Sequence, residues 1–314
     1  MLPIFQAPGL QLLHLKISTE VLAPIRWNSF PGSVLHGTLG FQLKQLSCVA
    51  PHGHCADCTL NDVCAYGTLF EPHLPKDSIR MRKYDRIPLP LRIAVFPWDG
   101  ETLQKNARVM VQLVLVGRAV RHAVSLLLAL WQACRDGLGR KPRGELRILN
   151  IQDGEASQVI SWNDFDASQS LPIRIYTWAE LIASKESKDR VIFVTPVRIM
   201  AGGRIQSHPD FRGFMSSLLR RITSLAYFWA DAEIEADFAG ILERADNLRV
   251  KSEFHRLPVR RYSSRQKAAM SLDGVLGRYD LPQGMNEFFP WLKIGQRVGV
   301  GKNTGMGMGA YRFE

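Results

Sequence analysis

The sequence predicts an α+β protein made of two ferredoxin-like (RRM-like) βαββαβ domains in tandem, the first carrying a cysteine-rich insertion. Three observations predict it. Strand-like and helix-periodic stretches follow the order β-α-β-β-α-β through the first half, and the pattern starts again near residue 191. Between the two runs lies a polar stretch, 152–189, rich in Ser, Asp and Lys. The division that follows is 1–152 for the first domain with its insertion at 48–70, 153–189 for a connection, and 190–314 for the second domain, ending in a glycine-rich loop.

Each element has its own signal. Leu10 to Thr19 reads as a strand, and Pro31 to Leu46 as a helix with Leu35, Leu39, Leu43 and Leu46 at helical spacing. Ile87 to Phe96 and Ala107 to Val116 are strand-like. Arg118 to Arg135 is an apolar-faced helix stopped by Gly137 and Gly139, and Glu145 to Ile151 is the fourth strand. In the second domain Val191 to Met200 is β-rich. Phe211, Phe214, Leu218, Ile222, Leu225 and Trp229 form one helical stripe. Strands follow at Leu257 to Tyr262 and Ala268 to Leu276, then a short helix near Asn286 to Leu292 and a last strand from Ala310 to Phe313.

Charge narrows the partners. The 314 residues carry a formal net charge of +11, which favours an anionic partner, nucleic acid first. Residues 244–278 hold nine Lys or Arg against three acids. Met1 to Leu10 lacks the basic start and apolar run of a secretion signal. Val109 to Cys134 is interrupted by Arg118, Arg121 and His122, so it does not read as a membrane span. A cytoplasmic location is the expectation, and cysteines there point to metal or packing rather than disulfides.

The segment from Gly299 to Gly309 interleaves glycines around Lys302. Such a loop suits a phosphate-bearing partner, with Gly301, Gly305 and Gly307 allowing close backbone approach beside Lys302. A P-loop is excluded because Asn303 follows the lysine and Gln296 stands where glycine is needed, and a dinucleotide fingerprint would have to open a helix. A tight hairpin without a ligand is the alternative. Cys48, Cys55, Cys58 and Cys64, spaced C-x6-C-x2-C-x5-C, supply the close pair that a tetrahedral thiolate site needs. Zinc is the expected structural ion; an iron–sulfur cluster uses the same donors, and four metal-free thiols are the bland reading. Cys134, on an apolar helix, is read as packing.

These elements in this order carry a resemblance. The helix Gly32-Ser33-Val34-Leu35-His36-Gly37-Thr38-Leu39-Gly40, the segment Cys64-Ala65-Tyr66-Gly67-Thr68-Leu69-Phe70-Glu71, and Arg261-Tyr262-Ser263-Ser264-Arg265-Gln266 with Asp273-Gly274-Val275-Leu276-Gly277 lead to the final Gly-Lys loop. Together they resemble the CRISPR repeat-processing endoribonucleases of the RAMP superfamily, in particular a cysteine-containing subgroup. The resemblance implies cleavage of precursor RNA without a divalent metal, by attack of a 2′-hydroxyl on the adjacent phosphate, leaving a 2′,3′-cyclic phosphate. It also implies CRISPR repeat RNA, or guide RNA, as partner, and possible subunits of an effector complex.

His36 is then the expected general base, on the helix where such enzymes place catalytic residues, with Gly40 and Lys44 one and two turns on. A half-buried structural histidine is the alternative. Lys44, Arg220, Arg221, Arg256, Arg260, Arg261, Arg265 and Lys267, with Gly301, Lys302, Gly305 and Gly307, are the expected RNA contacts. Phe254 and Tyr262 are expected to stack on bases. Tyr66, Tyr84 and Tyr262 are candidate acids, His52 and His54 candidate metal ligands, His208 a helix cap and His255 an RNA contact. His14, His73 and His122 read as structural. The competing functions are a repeat-hairpin-binding subunit that does not cut, and a zinc-dependent DNA-binding factor built on the cysteine loop.

Overall fold

The computed structural model describes every residue except 1–6, 8, 28, 51–53, 82–86, 101, 156–157, 170, 184–188 and 264–267, together with the side chains of 262–263 and 268–269. The first domain is built on β1 (Gln11–Val21), α1 (Pro31–Ser47), a short α2 (Ala65–Phe70), β2 (Leu91–Phe96), β3 (Arg108–Val116), α3 (Ala123–Asp136), β4 (Leu146–Asp153) and β5 (Val159–Ser161). The strands pair antiparallel in the order β2-β3-β1-β4-β5, so the four main strands lie second-third-first-fourth, as a βαββαβ unit requires. Leu13, Leu15 and Ile17 are buried on one face of β1, while Lys16 and Ser18 on the other remain half-exposed. That alternation is the period of two expected for a sheet with helices on one side.

The 152–189 connection contributes more than a link. Tyr176–Thr177 (β6) pairs with Gln11 and Leu12 of β1, followed by α4 (Trp178–Ile182), which starts with a Thr177–Glu180 capping box. Trp178 has no exposed surface.

The second domain repeats the plan with β7 (Arg190–Phe193), α5 (Phe211–Trp229), α6 (Phe238–Asn247), β8 (Lys251–Leu257), a hairpin of β9 (Arg260–Ser263) and β10 (Ala268–Ser271), β11 (Gly274–Asp280), α7 (Phe289–Val298) and β12 (Tyr311–Phe313). Its sheet runs β8-β11-β7-β12, again second-third-first-fourth. The stripe read from the sequence on α5 is buried throughout, with Phe214, Leu218, Ile222 and Leu225 at 0% exposure. Asp210 caps that helix by accepting from the Gly213 N–H at 2.6 Å, so the cap is not His208.

Several boundaries differ from expectation for local reasons. The helix foreseen from Arg118 starts as a 3-10 turn over Gly117–His122. Gly117 has φ +57°, and a Cβ there would lie 1.9 Å from the Trp229 carbonyl oxygen. The strand foreseen over 257–262 breaks at Pro258, which has no N–H to give a ladder. Helix α6, with Ile241 and Ala245 as its buried residues, was not foreseen. Among the described residues no helix is long and apolar enough to cross a membrane.

The two domains are joined by the glycine-rich loop. Its 3-10 turn, Thr304–Met306, packs against α1 and β2. Gly32 in the first turn of α1 makes this possible, since a Cβ there would sit 2.5 Å from the Met306 carbonyl oxygen. A small apolar core of Phe30, Val259, Leu272 and Met308 ties the start of α1 to the β9-β10 hairpin and the loop. Trp98 donates to the Val194 carbonyl at 2.6 Å, and Trp229 to that of Pro88 at 2.8 Å.

Candidate active site

The crevice where α1, the glycine loop and the β9-β10 hairpin meet holds His36, Gly305, Met306 and Arg261. Pro31 at the first helical position fixes the start of α1, and His36 follows one turn after Gly32, beneath the glycine loop. A Cβ built on Gly305 would lie 3.8 Å from the His36 Cε1 and 2.8 Å from a Leu89 methyl. On its other side the imidazole tilts against Phe70, ring centres 5.0 Å apart. His36 is half-buried as a residue; its Nδ1 is enclosed and, among the described residues, meets no well-aligned hydrogen-bond partner, with the Gly305 backbone the polar group beside the ring. Burial lowers its pKa to about 4; the nearby Arg261 charge adds to that, while the Gly305 backbone opposes it. The ring is therefore neutral at pH 7, the form in which a general base accepts a proton.

Arg261 has an unusual set of neighbours. Its guanidinium donates to the Met306 sulfur at 3.0 Å and the Met270 sulfur at 3.4 Å, and its buried Nε has no partner among the described residues. Thioethers are weak acceptors, so this charge is poorly satisfied by protein groups. An anion entering the crevice would meet a guanidinium held by thioethers on one side and a neutral imidazole on the other. Further out along the helices, Lys44 lies over the Tyr66 ring at 5.5 Å, and Tyr66 stacks on Phe70.

The other expected contacts divide. Lys302 is exposed, and its backbone N–H is held by the Arg198 carbonyl at 3.0 Å. The glycines around it are accounted for by protein atoms. Gly301 has φ +81° and faces the Arg198 carbonyl, and Gly307 has φ +92° and packs on the Gly32 Cα. Arg220, Arg256 and Arg260 are exposed. Arg221 turns inward and donates to the Val298 carbonyl at 2.9 Å. Phe254 does not offer a stacking face: it is 7% exposed and packs in the main core against Phe193 and Tyr279. The physical reason is register, because Phe254 takes the inward position on β8 between outward Glu253 and His255. Arg265, Lys267, His52 and Tyr84 lie outside the described residues, as does the side chain of Tyr262.

In the insertion Cys48, Cys55, Cys58 and Cys64 are all free thiols, partly exposed. Cys55 is close enough to Cys48 and Cys64 to feel their charges; burial and Glu71 are the larger causes that raise its pKa. Among the described residues no group of three or more His, Cys, Asp or Glu side chains is arranged to hold a metal ion. A cavity of about 680 Å³ opens elsewhere, on the face of the first sheet away from α1, lined by Ser18, Met110, Leu149 and Asn150 among others.

Sequence reasoning missed the two methionines that hold Arg261, and it missed buried Arg92. Nothing in a methionine's spacing marks it as an arginine's neighbour. Arg92, a charge inside an apolar strand run, was a signal available in the sequence.

Comparison with known families places these residues in context. Residues 10–182 match the N-terminal domain family AF_1859_N, and residues 191–311 match the family described as CRISPR-associated endoribonuclease Cas6. No curated protein matches the chain. Among solved structures, a product complex of Cas6 (TTHB231) superposes with a TM-score of 0.55 at 17% identity, covering 96% of this chain and 99% of that one. Thermus thermophilus Cas6 (TTHB231) gives 0.52 at 16% identity over 96% and 99%. The partial Cas6-RT-Cas1–Cas2 complex gives 0.55 at 12% identity, covering 97% of this chain and 46% of that one. At such identities the likeness carries the fold.

Proposed function

From the match of residues 191–311 to the Cas6 endoribonuclease family we propose that the protein cuts CRISPR precursor RNA within its repeats, with His36 as general base. The observation that carries the reading is the pairing, in one crevice, of a neutral, enclosed His36 imidazole with an Arg261 guanidinium met by thioether sulfurs. The ribose 2′-hydroxyl would give its proton to His36 as its oxygen bonds to the adjacent phosphorus. Arg261 would offset the charge that develops on the phosphorane oxygens. The bond from phosphorus to the 5′ oxygen then breaks and that oxygen takes up a proton. The products are a 2′,3′-cyclic phosphate and a 5′-hydroxyl, and no divalent metal takes part.

Around this centre, Lys44, Arg220, Arg256, Arg260 and Lys302 would bind phosphates of the repeat. Arg265 and Lys267 belong to the same proposal on sequence grounds. The family and the net charge support RNA as partner, in the cytoplasm where precursor RNA is made. The cysteine loop would hold one structural zinc ion through Cys48, Cys55, Cys58 and Cys64. Four free thiols in one loop are the right donor chemistry, and an iron–sulfur cluster is the second choice. Such a fully thiolate-bound ion would fold the loop and take no part in cleavage.

One observation favours the alternative of a repeat-binding subunit that does not cut. A histidine with a pKa of about 4 is a weak base. Burial is the main cause of that lowering and Arg261 the smaller one, so a bound phosphate beside the ring would raise it only in part, and cleavage itself decides between the readings. Repeat RNA incubated with the protein in EDTA is expected to be cut, leaving a cyclic phosphate and a 5′-hydroxyl. Intact RNA that stays bound would favour the subunit, and a 5′-phosphate product would overturn the chemistry.

A further inference from the structure

A second cluster of cations lies across β2 from the His36 crevice, where the first sheet meets the end of α7. Arg92, on β2, is 3% exposed. Its described polar contact is a bond to the Gln112 Oε1 at 3.1 Å, and its Nε is buried without a partner. Its Cδ lies 3.1 Å from where a Gly299 Cβ would stand, just past the last turn of α7. Arg221 donates to the carbonyl of the preceding residue, Val298. Arg297, in the last turn itself, extends to Glu155 and keeps a side chain that is 19% exposed. Arg297 and Arg221 are both close enough for their charges to lower the pKa of Arg92, which burial brings to about 9.

His14 shares the site. It is 4% exposed; among the described residues its ring nitrogens meet no well-aligned partner, and Gln112 is the polar side chain nearest to them. Burial, then Arg92, Arg297 and Lys16, hold it well below its ordinary pKa, with Gln112 opposing. Three guanidiniums thus gather around the C-terminus of one helix. Among the described residues Glu155 is the carboxylate paired with any of them. A helix C-terminus offers roughly half a negative charge, too little to balance the rest. A buried, unpaired charge is destabilising, and two like neighbours add to that.

We propose that Arg92, Arg221 and Arg297 form an anion site for one phosphate group, separate from the His36 crevice, where the first sheet meets the end of α7. Arg92 is its deepest member, and Arg297 lies nearest to solvent. The phosphate is that of a phosphodiester in bound RNA or a free phosphate group. The first source rests on the RNA-binding reading above; the second does not.

The test is thermal unfolding in inorganic phosphate against chloride at equal ionic strength, without RNA. Wild type is expected to gain several degrees in Tm in phosphate, because a ligand bound to the folded state alone stabilises it. Arg261→Ala should keep that gain. Arg92→Leu should lose it, with a Tm in chloride equal to or above wild type, since a buried charge without its ligand has been removed. If Arg92→Leu does not fold, Arg297→Gln is measured in its place and should lose most of the gain. No phosphate-specific gain in wild type, or an equal gain in the Arg92 or Arg297 variant, would overturn the site.

Filter binding of repeat RNA separates the two sources. A phosphodiester ligand predicts at least roughly 10-fold weaker binding by Arg92→Leu, with the log–log salt slope flatter by about 0.7–0.9. Unchanged RNA binding with the phosphate gain intact in wild type assigns the site to a free phosphate. Failure of the nuclease reading would leave the unfolding result untouched.

Discussion

The glycine loop and the cysteine loop are both short irregular segments with marked composition, and they are held in opposite ways. In the glycine loop nearly every special residue meets protein. Gly301, Gly307 and Gly309, and Gly32 facing them from α1, each have backbone within van der Waals distance of a would-be Cβ. In the cysteine loop the 3-10 turn Cys55–Asp57 buries none of its residues, and Leu60 and Val63 are 45% and 60% exposed. Glycine chemistry here is spent on packing, and it positions a site at one remove. Cysteine chemistry is presented with little packing behind it, as expected if an ion supplies the missing order.

The largest expected effect breaks the glycine side of this comparison. Gly32→Ala replaces a helical glycine, which by propensity alone should gain up to about 1 kcal/mol. The Cβ would sit 2.5 Å from the Met306 carbonyl oxygen. Chemical unfolding is therefore expected to show a loss of about 1–3 kcal/mol. Gly37→Ala, on the same helix with nothing within 4 Å, is the matched control and should be neutral or stabilising. Equal stability of the two variants would mean the loop does not lock onto α1.

The cysteine side is sharpened by metal analysis. Protein purified without added metal should carry about one zinc per chain, and Cys58→Ser should lose it along with protease resistance of residues 48–64. The intrinsic cleavage rate should change far less. Absence of both zinc and iron would return the cysteines to simple packing.

A pH series probes the crevice between the loops. His36 has a folded pKa of about 4 against an ordinary 6.5, so the unfolded chain binds more protons between those values. Its contribution is fully present above about pH 6.5 and is lost as pH falls towards 4. His122, also lowered to about 4 by burial and Arg121, adds to the same window. Urea midpoints should fall through that range, and His36→Gln should flatten the fall; an unchanged slope would contradict the burial of the ring.

The smallest effect belongs to Lys302, exposed at the rim of the loop. Lys302→Ala should weaken repeat-RNA binding modestly and flatten the log–log salt slope by about 0.7–0.9. An unchanged slope would remove it from the interface.

The sequence makes the repeated βαββαβ plan legible because its signals are periodic: the α5 stripe and the alternation in β1 follow from burial on one face. His36 and Arg261 are legible as residue types on matched segments. Their convergence is not, since α1 and β9 are over 200 residues apart and meet through Gly32 and Met306. Phe254 illustrates the opposite failure. An aromatic within a basic run looks like a stacking platform, but only register decides which side of the strand it takes, and here that side is the core. Arg221 likewise looks outward from the helix pattern, while the end of α7 draws its guanidinium in.

The central claim is that the crevice beneath the glycine loop performs the chemistry through His36. Single-turnover cleavage of repeat RNA in EDTA, comparing wild type with His36→Ala, tests it most directly. The account predicts a rate lower by roughly 10²–10⁴-fold in the variant, with RNA affinity retained. Equal rates for the two proteins would contradict it.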